Sequence, residues 1–145
     1  MDLFTAASSN NLPRVQELIA SGTDANVARS DGVTPLYVAS AFKFLEIINA
    51  LIAAGADINK ARTNGATPLY IAIQNGHNEV VNILIAAGAN VNVVLNDGST
   101  PLFLASQKSF KKSIKGSICC WCRYQYAQFV RKICLTARSR RKIYS

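Results

Sequence analysis

A single tripeptide, Thr-Pro-Leu, occurs three times in this chain of 145 residues, and the copies are evenly spaced. Their threonines are Thr34, Thr67 and Thr100, so each copy begins 33 residues after the one before it. Self-similarity at a fixed period of this length indicates a solenoid of stacked repeats. The same interval separates the members of two glycine series, which are Gly22, Gly55 and Gly88, and Gly32, Gly65 and Gly98.

The repeated residues predict the local structure of one unit. Threonine at a helix N-cap accepts a hydrogen bond from a free backbone amide, and proline suits the first helical position because no donor is needed there. A glycine that follows an apolar helical run commonly ends the helix in the left-handed conformation. Aspartate or asparagine followed by glycine favours a tight turn, because these residues tolerate positive φ. Each unit is therefore predicted to be a helix, a turn, a second helix and an extended loop with a tight turn at its tip.

The loop motif is also repeated in register. Gly55-Ala56-Asp57-Ile58-Asn59 follows one predicted second helix, and Gly88-Ala89-Asn90-Val91-Asn92 follows the next. Together with Gly-x-Thr-Pro-Leu, these motifs resemble the ankyrin repeat over residues 1–106. The resemblance implies an all-α repeat solenoid of stacked helix-turn-helix units joined by β-hairpin-like loops. The units are an abbreviated 1–33, complete units 34–66 and 67–99, and a partial unit 100–106.

Two positions depart from the ankyrin pattern. Aromatic residues replace the histidine that usually follows Thr-Pro-Leu, and the aspartate often found three residues before the loop glycine is also replaced. We therefore expect an aromatic ring to pack where the histidine would form loop hydrogen bonds. A Gly-His pair survives only as Gly76-His77, and we expect a structural role for this histidine at the turn between helices. The replacements are Tyr37, Tyr70 and Phe103 for histidine, and Arg29, Arg62 and Leu95 for aspartate.

Apolar residues recur at helical spacing in the two complete units, and we expect them to form the core. They are Leu36, Ala39, Ile47, Leu51, Leu69, Ala72, Val80 and Leu84. A solenoid needs about three units and polar end caps. Because this chain has few units, we expect marginal stability or self-association.

The repeat region contains no pattern typical of catalysis. It has no glycine-rich phosphate loop, no paired carboxylates in a plausible pocket, and no nucleophile that the sequence places beside a histidine. We therefore predict no enzymatic activity and no catalytic, cofactor-binding or metal-binding residues. The ankyrin resemblance instead implies that the repeats bind another protein.

In the ankyrin family, contacts come from the loop tips and from the exposed ends of the first helices. An exposed Phe42 is a candidate anchor, because aromatic residues dominate binding hot spots. The alternative is that Phe42 only covers the neighbouring turn. The predicted contact residues are Ser30, Asp31, Val33, Ala41, Phe42, Thr63, Asn64, Ala66, Gln74, Asn75, Asn96, Asp97, Ser99, Gln107 and Lys108.

Residues 107–145 form a tail of different composition. The chain's eight acidic residues all precede residue 107, together with only five basic ones, so the repeat region carries a net charge of −3. The tail holds eleven basic residues, and its cysteines are Cys119, Cys120, Cys122 and Cys134. Zinc binding, acylation at a membrane surface, and a nucleic-acid or nuclear-import role for 138–142 are alternative interpretations. Each would make the chain a tail-directed adaptor, in which the repeats act as spacers.

A different hypothesis, which we favour, is that the tail continues the repeats in another reading frame. Trp121 lies 33 residues after Gly88. Tryptophan has one codon, and reading that codon one base later, into the following cysteine codon, gives glycine. The same shift permits Ala-Ala-Gly-Ala-Asp-Ile-Asn at 119–125, so a base inserted between Ser106 and Ser113 would explain the tail. The nucleotide sequence tests this hypothesis.

The sequence also bears on where the protein functions. No apolar run reaches the length that crosses a membrane, and the start Met1-Asp2-Leu3-Phe4 lacks the basic and apolar regions of a secretory signal. We therefore predict an intracellular, cytoplasmic location.

Overall fold

A computed structural model describes residues 1–101 and Leu104. The helices within this part of the chain come in pairs, one pair for each unit, and no strand is assigned there. The predicted all-α solenoid is confirmed, with tight turns in place of β-hairpins. The helices are α1 (Leu3–Ser8), α2 (Leu12–Ala20), α3 (Pro35–Phe42), α4 (Leu45–Ala53), α5 (Pro68–Gln74) and α6 (Asn78–Ala86).

Threonine caps the first helix of each complete unit, as predicted. The Thr34 Oγ1 atom accepts a hydrogen bond from the Tyr37 amide at 3.2 Å, and Thr67 Oγ1 accepts one from the Tyr70 amide at 3.3 Å. Both threonines are buried, so these bonds satisfy hydroxyl groups that would otherwise be costly to desolvate. The first helix of unit 1 is capped by Asp2, whose Oδ1 accepts from the Thr5 amide at 2.7 Å.

The loop-tip turns need glycine for two reasons. Gly32 has φ of 81° and Gly65 has φ of 88°, in the left-handed region. In addition, a Cβ atom on Gly32 would lie 3.0 Å from the Arg62 Cα, and one on Gly65 would lie 3.1 Å from the Leu95 Cα. Each turn therefore packs its backbone directly against the next loop.

The residue before each tip glycine acts differently from the prediction. Among the described residues, only Asn10 and Lys43 combine positive φ with a side chain, so Asp31, Asn64 and Asp97 do not adopt that conformation. Their side chains instead accept hydrogen bonds from backbone amides two residues further on, as is usual for these residue types in turns. The acceptors are Asp31 Oδ1 for Val33 at 3.2 Å, Asn64 Oδ1 for Ala66 at 3.0 Å, and Asp97 Oδ1 for Ser99 at 2.9 Å.

The core runs through the stack between the helix pairs. The first helices α1, α3 and α5 pack on one another in order, and each second helix packs on the first helix of its own unit. All eight residues predicted to be core are buried, so that prediction is confirmed. A smaller apolar cluster lies beneath the loops, and it contains Val33, Tyr37, Val38, Ala66 and Leu95, with Phe4, Tyr70 and Ile71 packed against it.

The tail of 107–145 lies outside the described residues, so the hypotheses about it stay predictions. The described part of the chain contains no helix long and apolar enough to cross a membrane. It also contains no cluster of three or more histidine, cysteine, aspartate or glutamate side chains that could hold a metal ion.

Candidate protein-binding surface

The loop tips are hydrogen-bonded to one another. The Thr63 amide donates to the Asp31 carbonyl at 3.1 Å, and the Asn96 amide donates to the Asn64 carbonyl at 3.1 Å. The Asn96 side chain adds a bond from Nδ2 to the Thr63 carbonyl at 2.9 Å. The tips therefore form one continuous row, held by bonds that repeat from unit to unit.

A second set of bonds joins the loops closer to the helices. Asn26 Oδ1 accepts from the Asp57 amide at 2.6 Å, and Asn59 Oδ1 accepts from the Asn90 amide at 2.6 Å. These asparagines stand at the same position in successive units. Their repetition in the sequence signalled this role, although the sequence analysis did not assign it.

The first helices are tied to the following turns at their C-terminal ends. Asn75 Nδ2 donates to the Ala41 carbonyl at 2.9 Å, and His77 Nε2 lies 2.9 Å from the same oxygen. A carbonyl oxygen only accepts hydrogen bonds, so His77 Nε2 carries a hydrogen. This contact confirms the structural role predicted for His77.

Phe42 is an exposed aromatic residue at the end of α3. Its side chain is 62% exposed, and its ring stacks on Phe44 with 5.7 Å between ring centroids. Phe44 occupies the position that His77 holds in the next unit. The intervening Lys43 pairs with Glu79 at 3.0 Å, so the turn that carries the two rings is joined to α6.

Arginine and aromatic residues meet behind the loop tips. The Arg29 guanidinium lies 3.9 Å from the centroid of the Phe4 ring, and the Arg62 guanidinium lies 5.5 Å from the centroid of the Tyr37 ring. Arg62 and Tyr37 each follow their counterparts by 33 residues. The two departures from the ankyrin pattern are thus partners in space, and the expected packing of an aromatic ring is confirmed.

The charges on this surface are partly neutralised. Arg62 Nη2 donates to Asp31 Oδ2 at 3.2 Å. The adjacent Tyr37 side chain, followed by the Asp31 carboxylate, raises the pKa of Arg62 above its ordinary value. At the last tip, the hydrogen bond from the Ser99 amide lowers the pKa of Asp97 below its ordinary value.

The structure places the predicted contact residues in different environments. Val33 and Ala66 are only 9% and 2% exposed, because they pack in the cluster beneath the loops. These two residues therefore support the surface and do not face a partner. Gln107 and Lys108 lie outside the described residues. Asp31, Ala41 and Ser99 are half-buried, and the exposed residues are Ser30, Phe42, Thr63, Asn64, Gln74, Asn75, Asn96 and Asp97.

This architecture defines a class before any comparison: a helical repeat solenoid with ordered loop tips along one edge. A family model described as ankyrin repeats in three copies matches residues 3–94 and 61–116. The chain therefore belongs to the ankyrin repeat family, whose repeats are generally protein–protein interaction modules. The match extends beyond residue 106, where the sequence analysis ended the repeats. No curated protein gave a significant match.

Proposed function

We propose that this chain is a non-enzymatic protein-binding module, and that its partner docks on the loop tips and the exposed ends of the first helices. The observation that carries this proposal is the exposure of Phe42, a large aromatic side chain on an otherwise polar surface. The intracellular, cytoplasmic location predicted from the sequence is part of the proposal.

The order of the surface supports the proposal. Binding costs conformational entropy when loops and side chains must be immobilised. Here the tips are already joined by the bonds from Thr63 and Asn96 to the preceding loops. A partner would therefore meet donors and acceptors that are already in position.

Phe42 has the properties of a hydrophobic anchor. Its ring is held against Phe44, so little freedom is lost when a partner covers it. Burying an aromatic side chain of this kind is worth about 1.5–3 kcal/mol. Hot spots of binding are enriched in aromatic residues near the centre of an interface, surrounded by polar contacts that exclude water.

A peptide selection tests the proposal directly. A phage-displayed library of random peptides is panned against the purified full chain, and the enriched peptides are measured by calorimetry. We expect Phe42→Ser to weaken binding by about tenfold or more. The control is Val94→Ser, which removes an apolar side chain that is 59% exposed but lies away from the helix ends. Equal effects of the two substitutions would reject Phe42 as the anchor, and a library without enriched peptides would count against the binding surface itself.

A further inference from the structure

Arg29 and Arg62 occupy equivalent positions in successive units, and both lie over an aromatic ring. They differ in their acidic partners. Arg62 is paired with Asp31, which belongs to the tip of the preceding unit, at 3.2 Å. The structure therefore shows where a carboxylate sits when it is bound by an arginine in this register.

The corresponding place beside Arg29 holds no carboxylate from residues 1–101. None of the ion pairs within this part of the chain includes Arg29, and its side chain is exposed. Asp2 is the acidic residue whose charge interacts with Arg29. However, the Asp2 carboxylate is the N-cap of α1 and accepts from the Thr5 amide at 2.7 Å.

Packing alone does not explain an arginine at this position. In the third unit Leu95 takes the equivalent place, and Leu95 and Tyr70 pack in the same apolar cluster. An aliphatic side chain therefore fills this register without a charge. What arginine adds is a planar guanidinium that binds carboxylates through paired N–H donors.

We infer that Arg29 binds an aspartate or glutamate side chain of the partner protein, in the position that Asp31 takes against Arg62. This inference rests on the proposed function, because the carboxylate comes from the bound protein. The stacking on Phe4 orients the guanidinium in advance, so less side-chain entropy is lost on binding. The partner is thus a segment that carries an acidic residue.

The experiment uses the same random peptide library, displayed without free C-termini, so that any selected carboxylate belongs to a side chain. The library is panned separately against the full chain, Arg29→Leu and Arg14→Leu. Arg29→Leu copies the residue of the third unit, and thermal melting verifies that it stays folded. Arg14→Leu removes the same charge from α2, where Arg14 pairs with Glu17 at 2.7 Å.

We expect an acidic residue at a fixed position in peptides selected by the original chain and by Arg14→Leu, and its loss from peptides selected by Arg29→Leu. An acidic peptide should bind Arg29→Leu about tenfold more weakly. Selected peptides without an acidic residue, or with one that Arg29→Leu also selects, would overturn the inference. If those peptides still depend on Phe42, the proposed function survives, whereas the absence of any enrichment would overturn both.

Discussion

The guanidinium of Arg62 lies over the ring of Tyr37, with 5.5 Å between the guanidinium carbon and the ring centroid. Both residues depart from the ankyrin pattern, and each departure accommodates the other. An arginine at the aspartate position faces an aromatic ring at the histidine position. The loop is therefore held to its helix by a cation–π contact where the family uses histidine-mediated hydrogen bonds.

This contact should be measurable as a coupling energy. We expect Arg62→Leu and Tyr37→Leu to be non-additive in a double-mutant cycle, with a coupling of about 0.5–1 kcal/mol in the free energy of unfolding. Urea denaturation of the two single variants and the double variant gives the value. Additivity within about 0.3 kcal/mol would show that the residues are neighbours without a specific interaction.

The asparagine bonds between loops should also contribute to stability. We expect Asn59→Ala to lower the free energy of unfolding by about 1 kcal/mol, because the Asn90 amide loses its acceptor at 2.6 Å. Asn49→Ala is the control, since Asn49 is exposed on α4, where alanine is the better helix former. Denaturant titration should show a loss for the first variant only, and equal changes in both would indicate a general effect of replacing asparagine.

The close approach of the loops predicts a difference between two glycines. Gly65 and Gly55 have φ of 88° and 84°, so alanine at either position incurs about 1 kcal/mol of left-handed strain. Only Gly65 also has a neighbouring backbone within reach of a Cβ atom. We expect Gly65→Ala to cost about 1–3 kcal/mol more than Gly55→Ala in thermal or urea unfolding. Similar losses would mean that the next loop moves aside at little cost.

Lys43 offers a stabilising substitution. It has φ of 63°, and the next unit has Gly76, with φ of 73°, at the same position. We expect Lys43→Gly to stabilise the protein by about 1 kcal/mol, because the exposed ion pair with Glu79 that it removes is worth less than the strain it relieves. Lys43→Ala removes the ion pair but keeps the strain. The prediction fails if alanine and glycine give the same melting temperature.

Acid should weaken the fold through two exposed carboxylates. Hydrogen bonds from Thr5 lower the pKa of Asp2, and those from Ser99 lower the pKa of Asp97, both from an ordinary value of 3.8. A group whose pKa is lowered by folding contributes stability above its unfolded pKa, and that stability is lost as the pH falls through the folded pKa. We expect the double variant Asp2→Asn, Asp97→Asn to lose less stability than the original chain between about pH 5 and pH 2. Parallel acid-unfolding curves would contradict this.

The spacing of Thr-Pro-Leu was sufficient to predict the helix starts and the buried positions, because caps and apolar periodicity are local properties. The contact between Arg62 and Tyr37 was not predicted, since it joins residues 25 positions apart that only the folded loop brings together. Val33 and Ala66 were included in the predicted surface because they lie beside the tips. In the structure the chain turns inward immediately after each tip glycine, and this direction could not be inferred from sequence position.

The asparagine bonds have a consequence for how such a chain can change in length. Asn26 receives the Asp57 amide, and Asn59 receives the Asn90 amide through the same atoms. Each unit thus offers the following unit the acceptor that it meets in the preceding one. A duplicated copy of residues 34–66 would find matching connections on both sides, so the architecture permits lengthening by whole units without any new joint.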